Sequence, residues 1–317
     1  MAQEDKIFHA KPMKECLKEA ESLPAITPLY EPWWNKGETC FFFGSTGVGK
    51  TIFAMQMAHK ISENKKVLYF DFEMTKRQLL ERYQHEGKLI PFSDNLIRVE
   101  ILEGVEVNNK KIMKGIERGI EKHKAEVIII DNLTWALEDT QEARTAIPFM
   151  KKISGIKKKY GVSVLIIAHT PKRKSTRSMT KDGRLFTYDS PIDLADMAGS
   201  AALNNFIDSC FAIGKSCKDE SLRYLKQLKS RSAPIVHGED NVFVCCLEKK
   251  EGFLSLVKIG ESPEEEHLTS SPKQKEERNQ KILDLHKQGS TSRKIGEEVG
   301  LSHTHIQRII KKSKKPT

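Results

Sequence analysis

The chain lacks any long apolar run. No hydrophobic stretch approaches the ~20 residues a helix needs to cross a bilayer, so neither a membrane span nor a membrane partner is expected. The start, Met1-Ala2-Gln3-Glu4-Asp5, has neither the basic nor the apolar region of a secretory leader. Cysteine is scarce and scattered, six in 317 residues, with no C-x-x-C pair. Cys245 and Cys246 are adjacent on a strand-like stretch, which sends their side chains to opposite faces. A zinc framework is therefore not expected, and free thiols in a cytoplasmic setting are. No internal repeat is visible. Acidic residues are the minority, 43 against 53 Lys and Arg, and the net charge of +10 permits a polyanionic partner. The length allows one large domain with a sizeable core and a second, small one.

What is present is concentrated at Gly44-Ser45-Thr46-Gly47-Val48-Gly49-Lys50-Thr51, which fits G-x-x-x-x-G-K-[ST]. Cys40-Phe41-Phe42-Phe43 before it reads as a buried strand. After it, Phe53, Met57 and Ile61 fall on one face of a helix. A strand, a glycine loop and a helix in that order make an anion site. The glycines let backbone N–H groups converge on phosphate oxygens, and the helix N-terminus adds partial positive charge. In such a loop Lys50 faces the β- and γ-phosphates of ATP and the Thr51 hydroxyl holds Mg²⁺.

Before this motif, residues 11–23 carry Met13, Cys16, Leu17 and Ala20 at helical spacing. Such a helix either lies on its own domain or packs on a neighbouring subunit. Trp33 and Trp34 either stack on a base or pack under the sheet. After it, Val67–Glu73 reads as a strand that delivers Glu73 at its end, where a parallel sheet presents residues to a ligand. Met74–Tyr83 reads as helix, Leu96–Leu102 as a weaker strand, and residues 109–123 as a lysine-rich helix. Val127-Ile128-Ile129-Ile130-Asp131-Asn132 is a buried strand ending in an acid, a pattern that places Asp131 to hold Mg²⁺. A helix over Ala143–Lys159 and a strand over Val162–Ala168 follow, and the strand delivers His169 and Thr170. From Pro171 to Arg184 there are six cations against Asp182, without hydrophobic periodicity, which reads as a mobile basic loop. Gly199-Ser200 opens a helix. Strands over Phe206–Ile213, Arg223–Arg231, Asn241–Leu247 and Phe253–Ile259 complete an antiparallel edge. Lys229 and Arg231, two apart, share a face.

These stretches together resemble the RecA/DnaB superfamily, and within it the RepA-like ATPases of bacterial plasmids and mobile elements. The resemblance covers about residues 30–268. It rests on Gly37-Glu38 through Thr51, Val67–Glu73, Ile128–Leu133, Ala168-His169-Thr170-Pro171-Lys172-Arg173, Gly199-Ser200, Asn205–Gly214 and the Lys229-x-Arg231 strand. It implies an α/β, RecA-like P-loop fold with a mostly parallel sheet and antiparallel edge strands. It further implies that Glu73 orients the attacking water and Asp131 is the Mg²⁺-linked aspartate. His169 would sense the γ-phosphate. Arg231, with Lys229 beside it, would reach into a neighbouring subunit's nucleotide site. Lys172, Arg173 and Lys174 would line a channel for single-stranded DNA. A homo-oligomer, as large as a hexamer, follows from the same resemblance. The large N-terminal domain of DnaB-type helicases is not seen, so ATPase activity is expected more firmly than 5′–3′ unwinding.

Composition shifts at Glu261. Ser262-Pro263-Glu264-Glu265-Glu266 and Ser270-Ser271-Pro272 read as a linker over 261–272, and residues 273–317 carry twelve cations against five acids. Asn279–Lys287 reads as a helix. Ser292–Ile310 resembles a resolvase-type helix-turn-helix, with Gly296 at the helix crossing, Gly300 in the turn and Ser302 as cap. Ile295, Val299, Ile306 and Ile309 would form its core. His303, Thr304, His305, Gln307 and Arg308 would then face a duplex groove. The expected plan is a helical arm (1–28), an ATPase domain (29–260), a linker (261–272) and an all-α DNA-binding domain (273–317). Two functions fit it: an ATP-driven oligomeric DNA motor of a mobile element, or an ATP-switched DNA-binding regulator. A KaiC-like phosphotransferase is a third.

Overall fold

A computed structural model describes residues 10–23, 25–105, 107–132, 143–170, 176–179, 185–197, 201–269, 272–299 and 303–313. Lys172, Arg173, Lys174, Gly199, Ser200, Gly300 and Ser302 lie outside the described residues. The core is a nine-stranded sheet. Six strands run parallel: β1 (Thr39–Gly44), β2 (Val67–Asp71), β3 (Leu96–Val99), β4 (Val127–Asp131), β5 (Ser163–His169) and, after a separate hairpin of β6 (Thr176–Met179) and β7 (Leu185–Tyr188), β8 (Ser209–Lys215). Then β9 (Leu222–Ser230), β10 (Val242–Lys250) and β11 (Phe253–Ser262) add an antiparallel edge, giving the order β11-β10-β9-β8-β1-β5-β4-β2-β3. This is the α/β architecture expected from the sequence.

The parallel strands are continuous apolar runs because both faces of the sheet are covered. Alternate residues go to opposite faces. Phe41, Phe43, Ile128, Ile130, Val164 and Ile166 pack with α4 (Asn109–His123) and α5 (Ala143–Tyr160). Phe42, Tyr69, Ile129, Leu165 and Ile167 pack with α2 (Lys50–Ser62), whose Phe53, Met57 and Ile61 are all buried. Trp33 and Trp34 join this second layer at 3% and 0% exposure, with Trp33 edge-on to Phe53, so they pack under the sheet and offer no base a surface.

Several expectations are corrected. The segment after His169 is not without regular structure: β6 and β7 pair antiparallel from Thr176↔Tyr188 to Met179↔Leu185. The helix expected after Gly199-Ser200 is a short 3₁₀ turn over residues 201–205. The stretch read as a linker begins inside β11, which runs to Ser262. Beyond it Glu264 and His267 are buried, because Lys226 donates to Glu264 (2.5 Å) and the hydroxyls of Ser216 and Ser262 flank the His267 ring (2.8 and 2.7 Å). Helix α1 (Met13–Glu21) buries none of its residues, and Met13 and Leu17 are 72% and 61% exposed. At the other end α6 (Pro272–Lys287), α7 (Ser292–Val299) and α8 (His303–Ser313) gather round Ile282, Ile295, Ile306 and Ile310. No helix among the described residues is long and apolar enough to cross a membrane.

Candidate functional site

Strand register builds the site. Gly44 pairs with His169 across β1 and β5, and Asp71 pairs with Asp131 across β2 and β4. The chain therefore leaves the sheet at one edge with a glycine loop, a histidine and two aspartates side by side. The loop turns through Gly47 (φ +70°) and Gly49 (φ +110°), a region costly for any residue with a Cβ. Gly49 then opens α2 with no side-chain cap, so the helix keeps its first N–H groups for a ligand.

Lys50 folds back over the loop. Its Nζ donates to Gly44 O and Ser45 O, both at 2.9 Å, and lies 3.1 Å from His169 Nδ1. Burial lowers its pKa to about 8, against the opposing pull of Asp131 and Glu73. Arg223, buried at the start of β9, donates from Nε to Val48 O at 3.1 Å and so braces the same loop.

Asp131 is fully buried. Burial raises its pKa to about 6, while hydrogen bonds from Tyr69 (2.8 Å to Oδ2) and Thr51 pull the other way. Among the described residues no cation lies within salt-bridge distance of it. A desolvated carboxylate beside the Thr51 hydroxyl is a pair of hard oxygen donors, which suits Mg²⁺ held with phosphates. The glycine loop, Lys50 and this pair therefore fit Mg²⁺ and a nucleoside triphosphate.

Glu73 stands two residues beyond β2. Asp71 holds that turn: its Oδ1 accepts the N–H groups of Glu73 (3.2 Å) and Met74 (2.9 Å), and its Oδ2 takes Arg98 Nε at 2.8 Å. Glu73 Oε1 accepts from Asn132 Nδ2 and lies 3.4 Å from His169 Nε2. Burial and Lys50 keep the His169 pKa low, with Glu73 opposing, so the ring is neutral near pH 7. Nδ1 faces the Lys50 ammonium, and Nε2 faces Glu73 Oε1 at 3.4 Å and Asn132 Nδ2 at 2.9 Å, so Asn132 touches both the ring and the carboxylate. Lys50, His169 and Glu73 thus form one connected row.

Lys229 and Arg231 are not brought to this row. Ser230 pairs with Ser209 and Ser209 with Cys40, four residues upstream of Gly44 along β1, or about 13 Å. Arg231 Nη1 instead meets Asp208 Oδ1 at 3.0 Å, and Lys229 Nζ donates to Asn204 O at 2.6 Å. Asp208 also binds Lys157 at 2.6 Å, and its pKa stays low because these partners outweigh its burial. His303, Thr304, His305, Gln307 and Arg308 all fall on α8, where Gln307 is exposed. Sequence reading did not assign Asn132, Asp71, Tyr69 or Arg223 a place here. For Asp71 a signal existed: a second acid at the same strand-end position as Asp131.

Residues 8–175 match the model of a family described as an AAA domain. No curated protein matches the chain. Among solved structures, a KaiC-like protein from the hyperthermophilic archaeon Pyrococcus horikoshii aligns over 70% of this chain and 90% of its own, with 17% identity and a TM-score of 0.47.

Proposed function

The chain belongs to the AAA domain family and is a P-loop ATPase, and from that premise we propose that it is an oligomeric, DNA-binding motor whose subunits complete one another's nucleotide sites. The observation that carries this reading is the placement of Arg231 at the edge of the sheet opposite its own glycine loop. A cation there cannot serve the nucleotide of its own subunit. In a ring or filament of like-oriented subunits the two edges meet.

Bound Mg-ATP supplies the phosphoryl group and a divalent charge. The chain's residues do the rest. The loop amides and Lys50 would neutralise the phosphates, and Thr51 and Asp131 would hold the ion. Glu73 orients water and takes its proton, with Asn132 and His169 fixing the carboxylate. His169 bridges Lys50 and Glu73, and its next residues lead to the basic 171–184 segment, so nucleotide state is coupled to that segment through one ring. Arg231 of the adjacent subunit, with Lys229, stabilises the charge that develops on transfer. Such fingers contribute about 10³–10⁵ in rate.

DNA is the partner we assign to two regions: single strands to Lys172, Arg173 and Lys174, and duplex to the C-terminal helices. The apolar core shared by α6, α7 and α8 supports a helix-turn-helix. It also favours a second reading, an ATP-switched duplex-binding regulator without unwinding. A forked substrate separates the two, because only the motor displaces a strand. Assembly is tested by mixing. Arg231→Ala and Lys50→Ala proteins are each expected to be nearly inactive, and a mixture to regain hydrolysis as mixed interfaces form. Mixed oligomers that stay inactive at every ratio would overturn action across the interface.

A further inference from the structure

The strongest concentration of charge in the described fold lies away from the nucleotide site and away from both regions assigned to DNA above. Helices α4 and α5 lie side by side on one face of the sheet. Residues 109–124 carry six cations against two carboxylates, and residues 146–160 carry five against none, a net +9 in a chain of net +10. The remaining residues sum to +1, because acids elsewhere offset the cations of residues 171–184 and 273–317.

Packing turns this charge outward. Ile112, Met113, Ile116 and Ile120 of α4, and Phe149, Met150, Ile153 and Ile156 of α5, are buried against the sheet. Helical spacing leaves Lys114, Arg118 and Lys122 in one exposed stripe, and Lys151 and Lys158 in another. Each helix joins two parallel strands, β3 to β4 and β4 to β5, so the two run in the same direction. Lys159 reaches Glu117 (3.8 Å) and Glu121 (3.9 Å), which sets the level: Lys158 stands beside Arg118. Both carboxylates are thereby occupied by Lys159. Among the described residues, Lys110, Lys114, Arg118, Lys122, Lys151 and Lys158 have no acidic partner.

We infer that this two-helix face is a docking surface for the phosphate backbone of duplex nucleic acid, bound without regard to sequence. The charge density is the first reason: successive cations stand about 6 Å apart in the α4 stripe and about 10.5 Å apart in the α5 stripe, and a duplex offers one phosphate charge per ~1.7 Å of axis. Chemistry narrows the partner. None of the large apolar side chains exposed on the described surface belongs to this face, so nothing inserts into a bilayer. Exposed lysine is depleted at the cores of protein interfaces. Tyr160, the aromatic at the rim, is held by Glu121 (2.6 Å) and lies under Lys159, so this face offers bases no free ring to stack on. Two parallel rows about 8–10 Å apart match a backbone better than a groove. The surface needs neither nucleotide nor assembly to act.

The test uses the full chain and a mixed-sequence duplex, with anisotropy recorded over a salt series. Lys114→Gln/Arg118→Gln/Lys158→Gln should lower the slope of log affinity against log salt by about 2.7, three contacts at about 0.9 each. Lys36→Gln/Lys88→Gln/Lys250→Gln removes the same charge from exposed sites elsewhere and should leave the slope within one contact of the parent. ATP turnover without DNA and the melting temperature should match the parent in both, which excludes misfolding. An unchanged slope in the first variant overturns the inference, as does an equal loss in the second. So does a loss confined to vesicles of phosphatidylserine and phosphatidylcholine, with duplex binding spared.

Discussion

The proton on Lys50 gives the most quantitative prediction. Burial brings its pKa from 10.5 down to about 8, a cost to the cation on the order of 3 kcal/mol. Phosphate oxygens against Nζ offset that cost, so binding raises the pKa again. The sign then follows. Below pH 8 the ammonium is present before and after binding, and affinity for Mg-ATP is flat with respect to this group. Above pH 8 the free protein loses the proton that the complex keeps, and affinity falls by up to tenfold per pH unit. At pH 8.5 binding should take up about three-quarters of a proton, and at pH 7 about a tenth. Calorimetry in two buffers of different ionisation enthalpy measures this directly. Lys50→Arg cannot titrate in this range, and its binding should show no such uptake. Free protein should also gain stability between pH 8 and about 10.5, because the unfolded chain holds the proton there and the folded one does not. Equal uptake at pH 7 and pH 8.5 in the parent would refute the reasoning.

Three further outcomes follow from the geometry. Tyr69→Phe removes a buried donor from Asp131, which should cost about 2 kcal/mol in denaturant unfolding and weaken Mg²⁺-dependent nucleotide binding; unchanged Mg²⁺ dependence would show the bond to be incidental. Arg98→Ala strands Asp71, whose side chain is fully buried, and should destabilise the fold by about 3–5 kcal/mol, read as a lowered melting temperature; a loss below about 1 kcal/mol would contradict the pairing. Deleting residues 273–317 should sharply weaken sequence-selective duplex binding while sparing ATP turnover stimulated by single strands, and alanine at Lys172, Arg173 and Lys174 should do the reverse, both followed by anisotropy and phosphate release.

Much of the fold was legible because the parallel strands bury both faces. Val127–Asp131 and Ser163–His169 can be nothing but interior, and their polar ends mark the edge that binds. The glycine loop was legible because its chemistry needs fixed residues at fixed spacing. What the sequence hid are contacts made across register. Nothing local tells that Asn132 reaches Glu73, that Tyr69 lies under Asp131, or that Arg98 of the outermost strand anchors the turn carrying Glu73. The buried Lys226–Glu264 pair was hidden for a similar reason. A run of three glutamates beside prolines reads as solvated, and only the fold supplies the lysine that holds the first of them. The basic face of α4 and α5 was visible as lysine-rich helix, but not as one surface, because the two helices are separated in sequence by β4.

The central claim is that Glu73, held by Asn132 and His169, activates water for ATP hydrolysis. The measurement that tests it most directly is the single-turnover rate of Glu73→Gln at saturating Mg-ATP, taken beside its nucleotide affinity. The account predicts affinity near that of the parent and a rate lower by two orders of magnitude or more, about the share of a general base. A variant that binds Mg-ATP and turns it over at the parent rate would contradict the account.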